Sequence, residues 1–230
     1  MTDVIARTAS PNPLAEEPAA ISVYRTSTLE FSHAAQSGAK RALDVFAALI
    51  ALLVFLPLLF CIAMAVRMES PGPVIFKQRR TGHRGRIFTI YKFRTMTVVE
   101  DCADIRHATK DDKRVTAVGA LLRKLSLDEL PQFLNVLKGD MSLVGPRPHA
   151  LAHDTLYGER IPAYMDRFRA KPGLTGLAQV NGLRGEVHDL QHMRDRIAAD
   201  NLYIESWSLG LDVAILAKTA MIIFRDPQAY

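Results

Sequence analysis

Two adjacent acids, Asp128 and Glu129, are the residues with the clearest capacity for chemistry. They stand at the start of a predicted helix, where unpaired backbone N–H groups favour negative charge. A carboxylate at this place is expected to have a low pKa and to stay ionised, available as a nucleophile or a metal ligand. The spacing Ser126-x-x-Glu129 also matches a capping box, in which Glu129 only satisfies a backbone N–H. On spacing alone, capping is the favoured interpretation, although Pro131 lies one turn too deep for a helix that begins at Ser126.

Two arginines accompany these acids. Arg123 comes five residues before Asp128, and Arg147 lies between Pro146 and Pro148. A guanidinium held by a stiff backbone suits a fixed phosphate oxygen. Either arginine alone is more often a partner in a surface ion pair. Around two acids and close to an apolar segment, the set indicates phosphate chemistry on a lipid.

The other polar candidates carry weaker signals. Asp140 is interpreted either as a contributor to a metal shell or as the cap of the next turn, and capping is favoured. Asp200 is expected to be an exposed charge on a helix. His149 and His153 have helical spacing, but the sequence offers no third metal ligand in register with them. The sequence contains no Walker loop, HExxH motif or GxSxG motif.

Apolar periodicity and turn residues predict the elements that must position these side chains. A helix is expected over 130–138, ended by Gly139 and followed by a stiff loop up to residue 148. Segments rich in β-branched and aromatic residues predict a hairpin or a tight basic loop. The glycine-rich stretch predicts a structured loop with one short strand, and the last helix fits either an interfacial position or a buried core. The segments are 74–78 and 87–93 (hairpin), 171–186 (glycine-rich) and helices over 118–125, 157–169 with an interruption near Pro162, 190–204 and 207–224.

An apolar run of 22 residues, 45–66, has the length of a membrane segment. Pro57 lies just past its middle and predicts a bend, because proline lacks an N–H and crowds the preceding turn. Lys40 and Arg41 precede the run, and Arg67 with further basic residues follows it. Because Lys and Arg favour the cytoplasmic side, a re-entrant helix-break-helix hairpin is the preferred topology. A kinked spanning helix stays open as the alternative, whereas a cleaved signal peptide does not fit a run this deep and this long.

The length of 230 residues fits one compact domain with its anchor. We expect a flexible N-terminal tail over 1–38, the membrane hairpin over 39–70 and a cytosolic domain over 71–225. The two cysteines, Cys61 and Cys102, provide no disulfide framework. That suits a reducing compartment.

Basic residues are concentrated directly after the apolar run. Between Glu69 and Glu100 there are seven Lys or Arg and no acid. Such a block indicates attraction to anionic lipid headgroups or to a phosphorylated substrate, with a solvated strand face as the alternative. Nucleic acid is disfavoured as a partner, because no recognition-helix or aromatic RNA-binding pattern accompanies the charge.

Several long motifs give the sequence a recognisable likeness. They are KRALDV before the apolar run, FKQRRTGHRGRIFTIYKFRTM after it, LRKLSLDELPQFLNVLKGDMSLVGPRP around the acids, and KPGLTGLAQVNG. Together they resemble the bacterial sugar transferase family, the monotopic phosphoglycosyl transferases, over residues 40–224. The resemblance implies an α-rich α+β fold, in which the re-entrant hairpin joins a compact catalytic domain with interfacial amphipathic helices and a small β-hairpin.

The resemblance also implies an activity. Members of this family transfer a sugar 1-phosphate from a nucleotide diphosphate sugar to undecaprenyl phosphate, at the cytoplasmic face of the bacterial inner membrane. By this likeness Asp128 is the covalent nucleophile, Glu129 binds Mg²⁺, and Arg123 and Arg147 hold phosphate. Homo-oligomerisation is left open, and a membrane-anchored binding module without catalysis is the competing class of function.

Further roles follow from the same likeness. Gln179, Asn181 and Arg184 would face the nucleotide and sugar, and Asp200 would complete the polar site. Pro57 matches the proline at which the family's membrane helix breaks, although Leu56 stands where small members often have serine.

The donor sugar is inferred from two short motifs. GPRPHA at 145–150 and QVNGLRGE at 179–186 look like those of the UDP-glucose enzymes that begin exopolysaccharide assembly. UDP-galactose or an N-acetylated donor is the alternative.

Overall fold

Helices predominate in the computed structural model, which describes residues 32–97, 112, 114–185 and 189–225. Within that part of the chain, four short strands form two separate pairs. The predicted helix-rich fold with a few strands is therefore confirmed, whereas residues 1–31 of the predicted tail lie outside the described residues. The helices are α1 (His33–Gln36), α2 (Gly38–Glu69), α3 (Ala117–Lys124), α4 (Phe133–Lys138), α5 (Leu151–Gly158), α6 (Leu177–Val180), α7 (Leu190–Ser206) and α8 (Leu209–Arg225), and the strands are β1 (Ile75–Thr81), β2 (Ile87–Phe93), β3 (Ser142–Val144) and β4 (Gly173–Thr175).

The predicted membrane segment is a single helix, α2, of 32 residues. Ser37 caps its first turn with its side-chain oxygen. The helix is long and apolar enough to cross a membrane, and side chains along its length such as Phe46 and Phe60 are each 67% exposed. It continues through Pro57 without interruption. The break expected at this proline is therefore not confirmed.

The N-terminal end of α2 is fastened to the remainder of the described chain. Arg41 donates to the carbonyls of Val136 (2.6 Å) and Leu137 (2.8 Å) in the last turn of α4. Asp44 accepts a hydrogen bond of 3.0 Å from the amide of Leu143 in β3. Carbonyls at the end of a helix lack regular intrahelical partners, so Arg41 adds a donor to the Leu137 carbonyl and a second donor to the Val136 carbonyl, which also accepts from the Gly139 amide.

The C-terminal end of α2 is fastened to the same body. Arg94 follows β2 and is buried, and its guanidinium donates to the carbonyls of Val66 (3.3 Å), Pro71 (3.0 Å) and Ser70 (2.7 Å). Because Tyr91 in β2 donates its amide to Asn135 in α4 (3.1 Å), the two anchoring regions belong to one packed unit. Both ends of α2 thus lie against one polar domain.

The predicted hairpin is confirmed. β1 and β2 pair antiparallel from Ile75 opposite Phe93 to Thr81 opposite Ile87, so β1 extends further than predicted. The connection contains a 3₁₀ turn over His83–Gly85, within which Arg84 adopts φ 60° and ψ 30°. The basic loop expected from the sequence is therefore the tip of this hairpin.

The sequence predicted one of the two strands in the second pair. β3 lies in a stretch predicted as loop, whereas β4 corresponds to the short strand expected in the glycine-rich segment. The two run parallel, with Ser142 opposite Gly173 and Val144 opposite Thr175. The backbones come so close that a Cβ on Gly173 would lie 2.1 Å from the amide nitrogen of Gly145. This contact fixes the start of the proline-flanked loop that carries Arg147.

Most predicted helices are found within a few residues of their expected bounds. Gly139 ends α4 in the left-handed conformation, at φ 88°. For the helix expected over 157–169, the interruption near Pro162 is confirmed, but the bounds and type differ, because α5 ends at Gly158 and the segment Pro162–Arg169 is a 3₁₀ helix. Pro162 lacks an N–H, so it starts the second segment and does not continue the first.

Helix α8 has one buried face and one exposed apolar face. Asp212 and Ile215 are buried against the domain, whereas Val213 and Met221 are 57% and 51% exposed. The inner face packs with β3 and Tyr203 of α7 in the main apolar core. The exposed apolar face suits the boundary between water and lipid.

We predict that Gly173→Ala will strongly destabilise the protein, by about 3 kcal/mol or more, because the new methyl group would overlap backbone atoms that cannot move aside. The measurement is the thermal unfolding midpoint in detergent. Gly38→Ala is the matched control, since no atom lies within 4 Å of its would-be Cβ. Equal midpoints for the two variants would contradict the close β3–β4 contact.

Candidate active site

Asp128 lies in a 3₁₀ segment, Leu127–Gln132, that begins directly after a sharp reversal of the chain. Ser126 makes that reversal in the left-handed conformation, with φ 56° and ψ 21°, and its side chain forms no capping hydrogen bond. The Ser126 hydroxyl instead accepts a hydrogen bond of 2.5 Å from Arg184. The capping box predicted for Ser126 and Glu129 is therefore wrong, because an N-cap residue needs an extended backbone.

Glu129 is held by two cations from distant parts of the chain. Its Oε1 accepts hydrogen bonds of 2.7 Å from Lys92 in β2 and 2.7 Å from Arg147, and its Oε2 accepts one of 3.3 Å from Arg147. Burial alone would raise the pKa of Glu129, but Arg147 and Lys92 more than offset burial and lower this pKa. Glu129 is thus ionised at any physiological pH.

Asp128 has the opposite electrostatic setting. It is 9% exposed, and burial raises its pKa to about 6, with Lys92 opposing and the neighbouring Glu129 charge assisting. The low pKa expected from its place at a helix start is wrong, because loss of water outweighs the attraction of nearby cations. A carboxyl of pKa about 6 is still about nine-tenths ionised at pH 7. Asp128 is therefore a largely ionised but poorly hydrated carboxylate.

Arg123 lies on the same side of the site, at the end of α3. Its Nε donates to the hydroxyl of Thr95 at 3.0 Å. Its positive charge also lowers the pKa of Asp128, but this effect is smaller than those of burial, Lys92 and Glu129. The site therefore contains both arginines that the sequence singled out.

Lys92 was not predicted as a site residue. It belongs to a basic stretch of seven Lys or Arg residues that have no distinguishing local pattern. The packing of β2 against the 3₁₀ segment brings Lys92 to Glu129. The burial pattern along β2 does not alternate, because Ile90 and Phe93 are its buried residues, so no local sequence signal separates Lys92 from its neighbours.

Asp200 is buried, at 1% exposed. The exposed helical charge expected from the sequence is therefore wrong. Its Oδ2 accepts a hydrogen bond of 3.2 Å from Arg167, which also donates to the backbone carbonyl of Arg147. Burial raises the pKa of Asp200 to about 6, and Arg167 partly counteracts the rise. Asp200 reaches the site through Arg167, a residue that sequence analysis missed.

The three predicted substrate residues of the glycine-rich segment lie in different settings. Arg184 donates to the hydroxyl of Ser126, which directly precedes the 3₁₀ segment of Asp128. Gln179 donates to the carbonyl of Leu174 (3.1 Å), and Asn181 accepts from Lys218 of α8 (3.1 Å). Of the three, the structure brings only Arg184 to Asp128 by a direct contact with its segment.

The residues weighed as metal ligands have other partners. Asp140 forms a 3.4 Å ion pair with Lys138, and His149 is buried beside Tyr164 at 2.7 Å. Among the described residues, no group of three or more His, Cys, Asp or Glu is arranged to hold a metal ion.

These contacts define a class of site. A buried aspartate and an ionised glutamate are surrounded by Lys92, Arg147, Arg123 and the segment held by Arg184. Four cations around two acids leave an excess of positive charge, as a binding site for a phosphorylated ligand requires. Within the part of the chain that the structure describes, one helix, α2, is long and apolar enough to cross a membrane.

Comparison with known proteins gives the family. The family model described as bacterial sugar transferase matches residues 35–226. The chain belongs to the bacterial sugar transferase family. The resemblance inferred from the motifs is therefore confirmed.

Three relatives illustrate the similarity. A UDP-glucose:undecaprenyl-phosphate glucose-1-phosphate transferase from Caulobacter vibrioides is 54% identical over 191 residues, which cover 83% of this chain and 72% of the relative. A protein of the same name from Escherichia coli K12 is 50% identical, with 83% of this chain and 41% of the relative covered. A UDP-N-acetylgalactosamine-undecaprenyl-phosphate N-acetylgalactosaminephosphotransferase from Aeromonas hydrophila is 46% identical, with 80% and 43% covered. The chain thus spans less than half the length of the last two.

We predict that the two acids will respond to neutralisation with opposite signs. Asp128→Asn removes a carboxylate that burial penalises and should raise the unfolding midpoint at pH 7.5, by an amount equivalent to about 1–3 kcal/mol. Glu129→Gln should lower the midpoint, because Lys92 and Arg147 lose their charged partner.

The pH dependence checks the assignment. A raised pKa means that the folded state favours the protonated acid, so Asp128 costs stability as pH rises from about 4 to about 6. The gain from Asp128→Asn should therefore shrink toward pH 4. Midpoints measured in detergent across this range would contradict the assignment if both variants shifted in the same direction at pH 7.5.

Proposed function

We propose that the protein transfers a hexose 1-phosphate, with glucose as the hexose, from a UDP-sugar to undecaprenyl phosphate. The observation that carries the proposal is the pair Asp128 and Glu129, one poorly hydrated and one tightly paired to Lys92 and Arg147. In such a pair, Asp128 would act as the nucleophile, and Glu129 would hold Lys92 and Arg147 in place. The names of the relatives at about 50% identity point to the same reaction.

The reaction takes two displacements at one phosphorus. The Asp128 carboxylate attacks the sugar-bearing β-phosphorus, the bond from this phosphorus to the oxygen bridging the two phosphates breaks, and UMP leaves with that electron pair. An oxygen of undecaprenyl phosphate then attacks the same phosphorus, and the bond to the Asp128 oxygen breaks. The products are undecaprenyl-diphospho-sugar and the free carboxylate. Arg123 and Arg147 would offset the negative charge that gathers during both steps.

A divalent cation fits the acidic pair. Glu129 Oε2 accepts a long hydrogen bond from Arg147, at 3.3 Å, and a carboxylate oxygen has a second lone pair with which to bind a cation. Mg²⁺ commonly uses one or two carboxylates together with substrate phosphates and water. We therefore propose Glu129 as the protein ligand of Mg²⁺, which when bound would neutralise charge on the donor diphosphate.

Glucose is the proposed sugar, and an N-acetylated or galactose donor is the alternative. The motifs at 145–150 and 179–186 support glucose, as do the names of two relatives. The third relative, at 46% identity, has N-acetylgalactosamine in its name, so the general likeness alone does not select the sugar. The product would enter exopolysaccharide or other glycan assembly.

We propose that α2 is re-entrant and enters and leaves the cytoplasmic face of the inner membrane. The support is the placement of its ends: Arg41 contacts α4, and Arg94 holds the carbonyls of Val66 and Ser70. A helix that crossed the bilayer would carry one of these ends, and the polar domain fastened to it, to the far side. Positively charged residues at both ends agree with a shared cytoplasmic position.

The reaction is tested by following UMP release from UDP-glucose in the presence of undecaprenyl phosphate and Mg²⁺. Wild-type protein should turn over, Asp128→Asn should reduce the rate by at least about 10³-fold, and Glu129→Gln should be severely impaired. Mass spectrometry should detect a hexose phosphate on Asp128 when the acceptor is omitted. If the wild-type protein released no UMP from any UDP-sugar in a panel of donors, a non-catalytic binding module would be favoured instead.

The topology is tested by cysteine labelling in intact spheroplasts, in a background without the native cysteines. Gln36→Cys and Pro73→Cys are exposed positions that bracket α2. A membrane-impermeant maleimide should reach neither until the membrane is opened, because both sites face the cytoplasm. Labelling of one site alone before opening would establish a spanning helix.

A further inference from the structure

A buried guanidinium, that of Arg167, lies directly behind the proposed catalytic site. It is 3% exposed, and its Nη2 donates to the backbone carbonyl of Arg147 and to Asp200 (3.2 Å). Its Nη1 donates to His149 Nδ1 (2.5 Å) and to the hydroxyl of Tyr164 (3.2 Å). One side chain thus contacts two residues of the loop that places the Arg147 side chain.

That loop has few means of holding itself. Pro146 and Pro148 have no N–H, so the backbone on either side of Arg147 lacks donors. The carbonyl of Pro146 accepts from the Gly173 amide at 2.9 Å. The carbonyl of Arg147 and the ring of His149 are both held by Arg167. The orientation of the loop therefore depends on a side chain from the 3₁₀ segment Pro162–Arg169.

The hydrogen-bond directions in this cluster follow from the chemistry of its members. A guanidinium only donates, so His149 Nδ1 must accept, and its proton is on Nε2. Burial lowers the pKa of His149 well below its usual value, with Arg167 adding to the effect, which keeps the ring neutral. The Tyr164 hydroxyl donates to Asp154 Oδ1 (2.6 Å) while it accepts from Arg167. The two terminal nitrogens of Arg167 thus each have defined acceptors, and these contacts favour one orientation of the guanidinium. Among the described residues, Arg167 Nε and His149 Nε2 are buried without a hydrogen-bond partner.

The same cluster balances the charge of Arg167. Asp200 is in hydrogen-bond contact, and Asp154 Oδ1 lies 4.0 Å from Nη1. The guanidinium also lies over the Tyr164 ring, 5.2 Å from its centroid. Two acids and an aromatic ring surround the buried Arg167 guanidinium. They fix its orientation more tightly than a single solvent-exposed ion pair would.

We propose that Arg167 and Tyr164 are positioning residues, which hold the Arg147 loop so that the Arg147 side chain stays on Glu129. The path of contacts runs from Asp154 to Tyr164, to Arg167, to the Arg147 carbonyl, and through the Arg147 side chain to Glu129. Neither residue is placed to touch the reacting atoms. The proposal rests on the proposed transferase reaction, because Arg147 is the group whose position matters there.

Tyr164→Phe is the most conservative test, since it keeps the buried ring and removes only the hydroxyl. Arg167→Lys keeps the charge but cannot reproduce a planar fork with several donors. Each should lower kcat/KM for UMP release roughly 10- to 100-fold, the range seen when an outer partner of a catalytic group is lost. Asn201→Ala is the matched control, because Asn201 of α7 donates to the Ala163 carbonyl (2.9 Å) of the same 3₁₀ segment. The control should stay within about threefold of wild type.

A double-mutant cycle separates positioning from a general structural effect. In an Arg147→Lys background, the two-point contact with Glu129 is already lost, so adding Tyr164→Phe should change kcat/KM less than threefold. For variants that turn over too slowly for the UMP assay, formation of the hexose phosphate adduct on Asp128 is followed over hours by mass spectrometry. The proposal is overturned if the two effects multiply, or if Tyr164→Phe behaves like Asn201→Ala. Wild-type protein without UMP release would reject the reaction itself, which is a different result.

Discussion

The carboxylate of Glu129 joins three parts of the chain that are far apart in sequence. Lys92 comes from β2, Glu129 from the 3₁₀ segment, and Arg147 from the loop after β3. Without a common anion, the charges of Lys92 and Arg147 would repel each other. Among the described residues, Asp128 has no direct hydrogen bond to a cation. The pKa values of these two neighbouring acids therefore shift in opposite directions.

A second buried carboxylate, that of Asp212, connects this site with the membrane helix. Asp212 of α8 accepts hydrogen bonds from Lys40 of α2 (2.7 Å) and from Tyr203 of α7 (2.8 Å). Lys40 also donates to the carbonyl of Val144 at 3.1 Å, only three residues before Arg147, and the Tyr203 hydroxyl oxygen lies 3.0 Å from the same carbonyl. A buried ion pair contributes less to stability than its Coulomb energy suggests, but it strongly disfavours arrangements that leave one charge unpaired. The start of α2 and the Arg147 loop therefore keep a fixed relation.

The sequence predicted the elements whose signals are local. The hairpin followed from β-branched residues around a basic turn, the end of α4 from Gly139, and the two acids with Arg123 and Arg147 from their types and spacing. What it could not supply were contacts between distant segments. A three-residue strand such as β3 has no period to detect, and its pairing with β4 depends on the absence of a side chain at Gly173.

The errors have a common physical origin. The capping box and the low pKa of Asp128 were both derived from a regular helix start, but Ser126 has a left-handed backbone and the tertiary fold removes Asp128 from water. A lone acid within a helix predicts an exposed charge, whereas Asp200 is buried and paired with Arg167 from another segment. Local propensity describes what a segment favours by itself, and burial by other segments can reverse that preference.

Burial of Asp128 has a consequence for the proposed chemistry. A carboxylate with a pKa of about 6 holds its electrons less tightly than one of ordinary acidity, and it is still mostly ionised at neutral pH. The sugar phosphate that it would carry is an acyl phosphate, a mixed anhydride that water can cleave. A position only 9% exposed limits access of water to that bond. The same loss of solvent that costs stability in the free protein would thus favour transfer to lipid over hydrolysis.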